Sequence, residues 1–489
     1  MSADGIEPAK RRTSEIETAD VIVIGSGPGG AVSATELACA GHAVLMVEEG
    51  AHVPIAQMPH FSRDEMLFKY RNAGVSVAMG GSKLAWVEGR CVGGGSEVNR
   101  GLYHRTPDYI LDDWRRSFGV DDLDLAGMTP HFEACEQVAL VEYVAGRPSE
   151  MSQMLHRGAS ANGWHAIETP RLFHYRGDGS GERQSMSATF VPRFLAAGGR
   201  LSPSTRIDRL RRANGMWIAE GSRADASGTR RPVSFRAPVV IVACGAVQTP
   251  ALLRRSGLTR NIGNSLRFHP MVKVVAEFDH EVNRPGDSDP VHQIKEFEPR
   301  FGMGCSISNP AMLGMALAGR EDAWSLIAER WRSMGIYYVQ SGVGTASVRN
   351  MPGFRDPFVR IRFAQEELRV LAEGLARLAQ ALFAAGALRV HPCVTGYPTL
   401  HSPADIARLP ELLAAADGAL TSVHVFSSCP MGEDERRCAA DSFGRVHGAE
   451  GLYIGDASLL CTPTMVNPQG TVMAVAHRNA QAMMAHRFH

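Results

Sequence analysis

The hydrophobic pattern near the start of the chain predicts a strand, a helix and a second strand in succession. Val21–Ile24 is a run of consecutive apolar β-branched residues, which is typical of a buried strand. A glycine-rich turn follows, and an alanine-rich stretch to about Ala40 predicts a helix. The apolar run AVLMVE, residues 43–48, then predicts the second strand.

The pattern changes between about residues 271 and 420, where the glycine-rich signals stop. GIYYVQSGVG (335–344) and FVRIRF (358–363) predict strands, the second because Val359, Ile361 and Phe363 alternate with Phe358, Arg360 and Arg362. A helix is predicted from about Ala364 to a stop at Gly386. It carries leucines on one face, at 368, 371, 375, 378 and 382, which indicates core packing. We interpret this region as a separate domain with substantial strand content.

A strand–helix pattern flanks this middle region on both sides. Residues 238–258 predict a strand, a turn and a helix that starts near Thr249–Pro250, and GLYIGDAS predicts a strand that ends at Asp456. A last helix is predicted to begin near Gly470. The chain is therefore predicted to leave its first domain and return to it. We assign residues 18–105, 195–270 and 421–489 to one domain, 106–194 and 271–420 to a second domain, and 1–17 to a disordered tail.

Composition narrows the class of protein. At 489 residues the chain exceeds the size at which a single core stops growing, so two domains are expected. The 51 basic and 51 acidic side chains cancel, which argues against nucleic acid or an anionic membrane as partner. The polar N-terminus lacks the apolar core of a signal peptide, and no apolar run approaches a membrane span. We expect a cytoplasmic protein.

Nine cysteines are scattered singly, with no Cys-x-x-Cys pair. This pattern argues against a disulfide framework and against a structural zinc site, so reduced thiols and no metal are expected. It also excludes flavoenzymes of the disulfide-reductase type, which need such a redox pair.

The turn after the first strand has the spacing of a dinucleotide-binding loop. Gly25 allows the tight turn, Gly27 lets the backbone approach a pyrophosphate, and Gly30 lets the helix pack closely on the strand. The helix that starts at Pro28 offers free N–H groups to the phosphates. Glu48, at the end of the second strand, can accept hydrogen bonds from a ribose. These features predict dinucleotide binding without separating FAD from NAD.

Two further segments are ambiguous when they are taken alone. Three consecutive glycines, residues 93–95, would let the backbone lie against a flat ligand, but a surface loop would tolerate them equally. His424, in SVHVFSSCPMG, is by itself better explained as a packed, hydrogen-bonded core residue than as a base.

Four groups of segments together resemble the glucose–methanol–choline oxidoreductase family of FAD-dependent enzymes. They are the first unit ending VLMVEEG (44–50), GRCVGGGSEVN (89–99), GAVQTPALLRRSGL with NIGNSLRFHP (245–258 and 261–270), and HVFSSCPMG with GRVHGAEGLYIGDASLL and NPQGTVMAVAHRNA (424–432, 444–460 and 467–480). The resemblance implies an α/β fold with a Rossmann-like FAD-binding domain built from discontinuous segments. It also implies an α+β substrate-binding domain with an antiparallel sheet.

The resemblance implies that His424 is the catalytic base. In the family, this histidine begins a motif in which Cys429, Met431 and Gly432 match this chain, while serines at 427 and 428 replace Gly-Thr. The second member of the catalytic pair is His or Asn in the family, and here it is Asn467, before Pro468. Four other histidines, at 104, 269, 447 and 477, are not expected to be catalytic.

The same resemblance implies the flavin contacts. Asp456 matches the acid that contacts the ribityl and phosphate portion, and Ser96 and Asn99 match positions beside the isoalloxazine ring. Some members tether FAD through a histidine just before that asparagine, where this chain has Val98, so we expect noncovalent FAD. The expected cofactor-binding positions are Gly25, Gly27, Pro28, Gly30, Glu48, Gly93, Gly94, Ser96, Asn99, Ile207, Asp456 and Pro468.

The expected reaction is oxidation of an alcohol to an aldehyde or ketone by hydride transfer to flavin N5. The substrate could be a sugar or a natural-product hydroxyl, for example of the aminoglycoside type. The electron acceptor, either oxygen or a quinone or redox protein, is left open. The alternative is a lyase of the same fold, of the cyanohydrin-lyase type, in which FAD is bound without net redox chemistry. Exact substrate, oligomeric state and the residues of the substrate pocket are not predicted.

Overall fold

The structure is a computed structural model, and it describes residues 17–54, 58–81, 83–177, 180–287, 289–413 and 420–487. The expected disordered tail lies outside the described residues except for Glu17, which begins a short strand. Within the described residues the α-helices are α1 Pro28–Cys39, α2 Arg63–Lys69, α3 Asp108–Phe118, α4 Leu125–Ala139, α5 Glu150–Ala161, α6 Phe190–Ala196, α7 Gln248–Arg255, α8 Pro310–Ala316, α9 Ala323–Arg330, α10 Gln365–Ala384 and α11 Gln469–Arg487.

Short 3₁₀ turns cover Arg71–Gly74, Gly94–Glu97, Trp331–Ser333, Pro403–Arg408 and Ala457–Leu459. The strands are β1 Glu17–Thr18, β2 Val21–Ile24, β3 Val44–Val47, β4 Ser76–Gly80, β5 Leu84–Trp86, β6 Val141–Glu142, β7 Ala166–Glu168, β8 Arg171–Tyr175, β9 Gly181–Arg183, β10 Arg200–Ser202, β11 Thr205–Ala213, β12 Met216–Ala224, β13 Arg230–Ala237, β14 Val239–Val242, β15 Arg267–Phe268, β16 Met271–Glu277, β17 His292–Ile294, β18 Gly302–Ser306, β19 Met334–Gln340, β20 Thr345–Arg349, β21 Phe358–Arg362, β22 Arg389–Pro392, β23 Leu420–Ser422, β24 Val425–Phe426 and β25 Leu452–Ile454.

A five-stranded parallel sheet forms the centre of the first domain, in the order β10–β3–β2–β14–β25. Every residue of β2, β3 and β14 is buried, as expected for parallel strands that are covered on both faces. The helix α1 packs against α6 and α11. The predicted strand–helix–strand unit is therefore confirmed, and the chain does return to this sheet through β14 and β25.

A mixed sheet of eleven strands forms the second layer, in the order β20–β21–β4–β5–β23–β16–β19–β18–β17–β7, with β22 beside β16. Its pairs are antiparallel except β4–β21 and β5–β23. The leucines predicted to line one face of α10 are buried, and α10 packs on β16 and β19. The predicted α/β fold class with an antiparallel second sheet is confirmed.

Two parts of the chain pack in a domain other than the one to which the sequence analysis assigned them. The strands β4 and β5 lie in segment 18–105 but hydrogen-bond to β21 and β23 of the eleven-stranded sheet. Conversely, α4 and the first five residues of α6 lie in segment 106–194, but α4 packs against α11 and α6 packs against α1. The sequence assignment missed this because neighbours in a sheet are set by backbone pairing between distant segments. We therefore propose the same two-domain division with two changes. The strands β4 and β5 move to the second domain, and the helices α4 and α6 move to the first.

A short antiparallel pair, β15 with β24, positions the centre of the site. Phe268 lies opposite Val425 in this pair, so the residues that come next, His269 and His424, are brought side by side. The backbone N–H of His269 donates to the carbonyl of His424 at 3.4 Å.

The remaining sheets are β1–β13–β12–β11 and β6–β8–β9. No helix in the described part of the chain is long and apolar enough to cross a bilayer. All nine cysteines lie in that part and are free thiols.

Candidate active site

The turn between β2 and α1 leaves open backbone at one glycine only. A Cβ added to Gly25, whose φ is +108°, would lie 2.1 Å from the carbonyl oxygen of Ala243, and one added to Gly30 would lie 2.1 Å from the oxygen of Gly25. At Gly27 the nearest atom to an added Cβ is 3.9 Å away. Gly25 and Gly30 are therefore needed by the fold, whereas Gly27 faces free space.

That space suits the pyrophosphate of a dinucleotide. Gly27 is the N-cap of α1, no side chain caps the helix, and Pro28 occupies the first turn. The unpaired N–H groups and the positive end of the helix dipole point to where an anion would lie. The residues present therefore fit FAD at this loop.

Glu48 ties the two glycine-rich segments together. Its carboxylate accepts hydrogen bonds from the backbone N–H of Ser26 (3.0 Å), the hydroxyl of Ser26 (2.7 Å) and the N–H of Gly50 (2.8 Å). The hydroxyl oxygen of Ser26 in turn accepts from the N–H of Gly93 at 3.1 Å. Burial raises the pKa of Glu48, while these donors oppose that rise. Sequence reasoning missed Ser26, which sits inside the glycine motif.

The second glycine segment lies directly against the first. Gly93 and Gly94 have φ values of +95° and +55°, and a Cβ on Gly94 would lie 2.7 Å from the Cα of Gly27. The buried hydroxyl of Ser96 donates to the carbonyl of Gly93 (2.7 Å) and accepts from the N–H of Met186 (2.9 Å). The segment is held by its own hydrogen bonds and is not a free surface loop.

Asn99 connects this segment to the start of α11. Its Nδ2 donates to Gln469 Oε1 at 2.5 Å, and its Oδ1 accepts from the N–H of Gly101 at 3.0 Å. The carbonyl of Pro468 accepts the first helical hydrogen bond, from Val472. The N-terminus of α11 is therefore fixed beside the glycine segment.

Asp456 and Ile207 are the remaining residues that were expected to contact the flavin. The Asp456 carboxylate accepts from the N–H of Gly245 (2.8 Å), the hydroxyl of Thr249 (2.5 Å) and the N–H of Ser458 (2.7 Å). Burial raises the pKa of Asp456, and these donors counter it. Ile207 is 5% exposed and sits at a bulge in β11.

The expected catalytic pair is brought together by the fold. Asn467 Nδ2 and His424 Nε2 are 3.2 Å apart, although 43 residues separate them in the chain. His424 is 9% exposed. Burial, and to a smaller extent the positive charge of Lys295, lowers the pKa of His424 to about 3. The ring is therefore neutral near pH 7 and can accept a proton.

A second imidazole contacts the other side of His424. The Nδ1 atoms of His269 and His424 are 2.9 Å apart, and the two rings meet edge to face. His269 is fully buried, and burial, with smaller contributions from the neighbouring His424 and Lys295, holds its pKa well below its usual value. The sequence analysis, which did not expect His269 to be catalytic, did not anticipate this contact.

The amide of Gln293 contacts the opposite end of the pair. Gln293, in β17, donates from Nε2 to Asn467 Oδ1 at 3.1 Å. It also approaches His104 closely enough to favour the protonated ring, although burial and Lys295 still lower the pKa of His104 to about 3. Gln293 Oε1 and His104 Nε2 are buried and have no hydrogen-bond partner of normal geometry among the described residues.

Lys295 is the cation of this site. It influences the pKa of three histidines, at 104, 269 and 424, and its ammonium pairs with Glu298 at 2.8 Å. Its side chain is 8% exposed. Neither Lys295 nor Gln293 carries a sequence signal, since both lie in the middle region where no motif was found.

The other two histidines of the sequence analysis make contacts away from His424 and Asn467. His447 contacts the carbonyl of Gly432, and His477 contacts His131.

Comparison with known proteins points to one family, the GMC oxidoreductases. Two domain profiles, both described as GMC oxidoreductase, match residues 66–271 and 344–476. An uncharacterized GMC-type oxidoreductase of Sinorhizobium fredii is 35% identical, over 96% of this chain and 95% of its own length. A long-chain-alcohol oxidase of Arabidopsis thaliana is 25% identical, over 94% of this chain and 67% of its own. The 6'''-hydroxyparomomycin C oxidase of Streptomyces lividus is 24% identical, over 99% and 94%.

Solved structures share the fold at low sequence identity. Pyridoxine 4-oxidase superposes with a TM-score of 0.74 at 15% identity, over 96% of this chain and 100% of its own. Formate oxidase from Aspergillus oryzae gives a TM-score of 0.76 at 16% identity, over 97% and 99%.

Proposed function

Because this chain belongs to the GMC oxidoreductase family, whose members are flavoproteins that act on CH–OH groups, we propose that it oxidises an alcohol with His424 as base. The observation that carries the proposal is the contact between the neutral, buried imidazole of His424 and the amide of Asn467. The product would be an aldehyde or a ketone.

A substrate hydroxyl can replace the direct contact between the two side chains, whose nitrogens are 3.2 Å apart. His424 Nε2 presents a lone pair, and Asn467 Nδ2 presents an N–H, so an alcohol oxygen can donate to the first and accept from the second. Bound FAD would supply the hydride acceptor. The protein's own part is to orient the hydroxyl and take its proton.

A weak neutral base is sufficient for this proton. As the hydride leaves carbon, the oxygen becomes that of a carbonyl, and its proton becomes strongly acidic. His424, with a pKa of about 3 before substrate binds, takes the proton at Nε2 as this acidity develops. Asn467 donates to the oxygen and stays neutral throughout, so it does not compete for the proton.

FAD would lie along the two glycine segments and the start of α11. The pyrophosphate would lie at Gly27 and the N-terminus of α1, the ribose at Glu48, and the ring beside Ser96 and Asn99. We propose that the flavin is noncovalent because Val98, at the position used as a tether by some family members, has no nucleophilic atom. Denaturation with acid should then release all the FAD into the supernatant.

Buried polar atoms beside the pair support a polar substrate. His104 Nε2 and Gln293 Oε1 lack partners in the described part of the chain, and a substrate with further hydroxyl groups would satisfy them. A sugar or natural-product alcohol fits this chemistry better than an aliphatic chain. Oxygen is proposed as the acceptor, since two of the three named relatives and both solved neighbours carry the name of an oxidase. A cytoplasmic location remains a prediction.

The test is anaerobic bleaching of the flavin absorbance by a panel of alcohols. The panel comprises D-glucose, paromomycin, pyridoxine, benzyl alcohol, choline and 1-dodecanol. We expect bleaching by a polar member, recovery of the oxidised spectrum in air, and loss of bleaching in His424→Ala. Purified protein that binds FAD but is reduced by none of them would favour the lyase alternative, and protein that cannot bind FAD would contradict the proposal.

A further inference from the structure

We propose that His269 is a positioning residue that fixes the tautomer of His424, so that Nδ1 keeps the ring proton and Nε2 keeps the lone pair. The proposal rests on the function proposed above in that it concerns the same base. It adds a residue that acts through His424 and does not touch the substrate.

The contact between the two rings requires one shared proton. Two nitrogens 2.9 Å apart form a hydrogen bond only if one carries a hydrogen and the other a lone pair. Both rings are neutral in this buried setting, so each carries one hydrogen on one of its two nitrogens. The direction of this bond therefore decides which nitrogen of His424 is free to act as base.

The amides on the other side set that direction. Gln293 Nε2 donates to Asn467 Oδ1, which turns the Asn467 NH₂ towards His424 Nε2. His424 Nε2 is then an acceptor, so its proton is on Nδ1 and is donated to His269 Nδ1.

His269 is this acceptor when its own proton lies on Nε2, a buried atom that has no hydrogen-bond partner among the described residues. Its ring meets Phe426 edge to face at 4.7 Å, and its backbone is held in the β15–β24 pair. The charged and titratable groups that face the two rings are Lys295, already paired with Glu298, and His104. No carboxylate of the described residues hydrogen-bonds to either ring. The acceptor is therefore neutral, unlike the aspartate of a Ser-His-Asp triad.

This arrangement supports the proton transfer without a second protonation step. When His424 takes the substrate proton at Nε2, its Nδ1–H remains bonded to His269, and that bond becomes charge-assisted. His269 keeps the same proton count throughout. Without the acceptor, the buried Nδ1–H would be unsatisfied, and the other tautomer, which has no lone pair at Nε2, would become populated.

The first test needs no substrate. FAD-loaded protein labelled with ¹⁵N-histidine is compared with His424→Asn, His269→Leu and His269→Asn by proton–nitrogen NMR. We expect a protonated Nδ1 and an unprotonated Nε2 for His424, with a downfield proton that disappears in His424→Asn. His269→Leu should lose that proton, whereas His269→Asn should keep one because asparagine Oδ1 reaches about the position of histidine Nδ1.

The second test uses the panel alcohol that bleaches the flavin fastest. His269→Leu and His269→Gln should slow flavin reduction at least about tenfold with little change in the half-saturating alcohol concentration, whereas His269→Asn should recover most of the rate. The control is His391→Leu, since His391 is equally buried but bonds to Glu277 and Thr399. The His391→Leu substitution should lower the stability of the protein and leave the NMR signals of His424 unchanged.

Each outcome bears on His269 separately from the reaction. A protonated Nε2 on His424, or a downfield proton unaffected by His269→Leu, would overturn the proposal. So would equal rates in the Leu and Asn variants. If no alcohol bleaches the flavin, the proposed reaction fails, but the NMR result still decides the tautomer. If His269→Leu does not fold, His269→Asn and His269→Gln still give the comparison.

Discussion

Gln293 and Asn467 are 174 residues apart in the chain, yet Gln293 Nε2 lies 3.1 Å from Asn467 Oδ1. One residue belongs to the eleven-stranded sheet, and the other precedes the last helix beside the parallel sheet. This hydrogen bond joins the two layers at the atom next to the base. The orientation of the Asn467 amide therefore depends on the correct packing of both layers.

Replacement of Gln293 tests that connection. Gln293→Leu removes the donor to Asn467 Oδ1 and frees the amide to rotate, so we expect flavin reduction to fall about tenfold, the effect of losing roughly 1.4 kcal/mol. Gln293→Glu keeps the size but cannot donate when it is ionised, and it should be equally slow. The measurement is stopped-flow absorbance under anaerobic conditions. Rates equal to the parent protein in both variants would show that the bond does not orient Asn467.

His424→Ala should lower the rate of flavin reduction by about 10²–10⁴-fold, the usual contribution of a general base. FAD content should not change, because the hydrogen bonds at the expected flavin loops do not involve this ring. A matched control is His174→Ala, since His174 is half-exposed and pairs with Glu142 on the surface. A rate reduced equally in both variants would point to a general loss of structure.

Gly27→Ala should abolish FAD binding and leave the apoprotein folded. An added Cβ meets no protein atom nearer than 3.9 Å, but it would occupy the space proposed for the pyrophosphate. Gly25→Ala is the contrasting variant, because its Cβ would lie 2.1 Å from the Ala243 carbonyl and damage the fold itself. Circular dichroism and bound flavin are measured for both. Full flavin loading of Gly27→Ala would refute the proposed position of the pyrophosphate.

The contribution of the buried histidines to stability should fall as the pH is lowered from about 7 to 5. His104 and His424 have folded pKa values of about 3, and that of His269 is also strongly lowered, while unfolded histidines titrate near 6.5. Between these values the unfolded chain binds more protons than the folded one, so each group costs up to about 1.4 kcal/mol per pH unit. The loss levels off only when the pH passes below the folded pKa, because both states then bind the same number of protons.

The measurement is the urea midpoint of the apoprotein at pH 7, 6 and 5. Glu49, with a pKa of about 2, changes protonation between states mainly at lower pH. Glu48 and Asp456, whose pKa values burial raises, bind protons in the folded state more readily and oppose the histidine slope. The histidine contribution is therefore read from the difference between the parent protein and His104→Phe. His104→Phe should reduce the pH dependence of the free energy of unfolding by up to the equivalent of one proton, about 1.4 kcal/mol per pH unit. A pH dependence that is unchanged in His104→Phe would contradict the burial of a neutral imidazole at His104.

The elements of the parallel sheet were predictable because their signals are local. Val21–Ile24 is a strand with the predicted bounds, and the helix that follows ends at Cys39, one residue before the expected stop. Continuous apolar runs and glycine spacing dictate this unit without reference to distant residues. The charged and apolar alternation of β21 was equally decisive: Val359 and Ile361 are buried, while Arg360 faces solvent.

The sequence by itself determined the family, the fold class and the candidate base, because each was recognised from short motifs of contiguous residues. Only the tertiary structure decided which side chains surround His424. His269, Gln293 and Lys295 come from three different segments, and they reach the base through the pairing of β15 with β24 and the placement of β17. A hydrogen bond depends on angstrom-scale positions that follow from sheet register and layer packing. No local pattern in the chain encodes those positions.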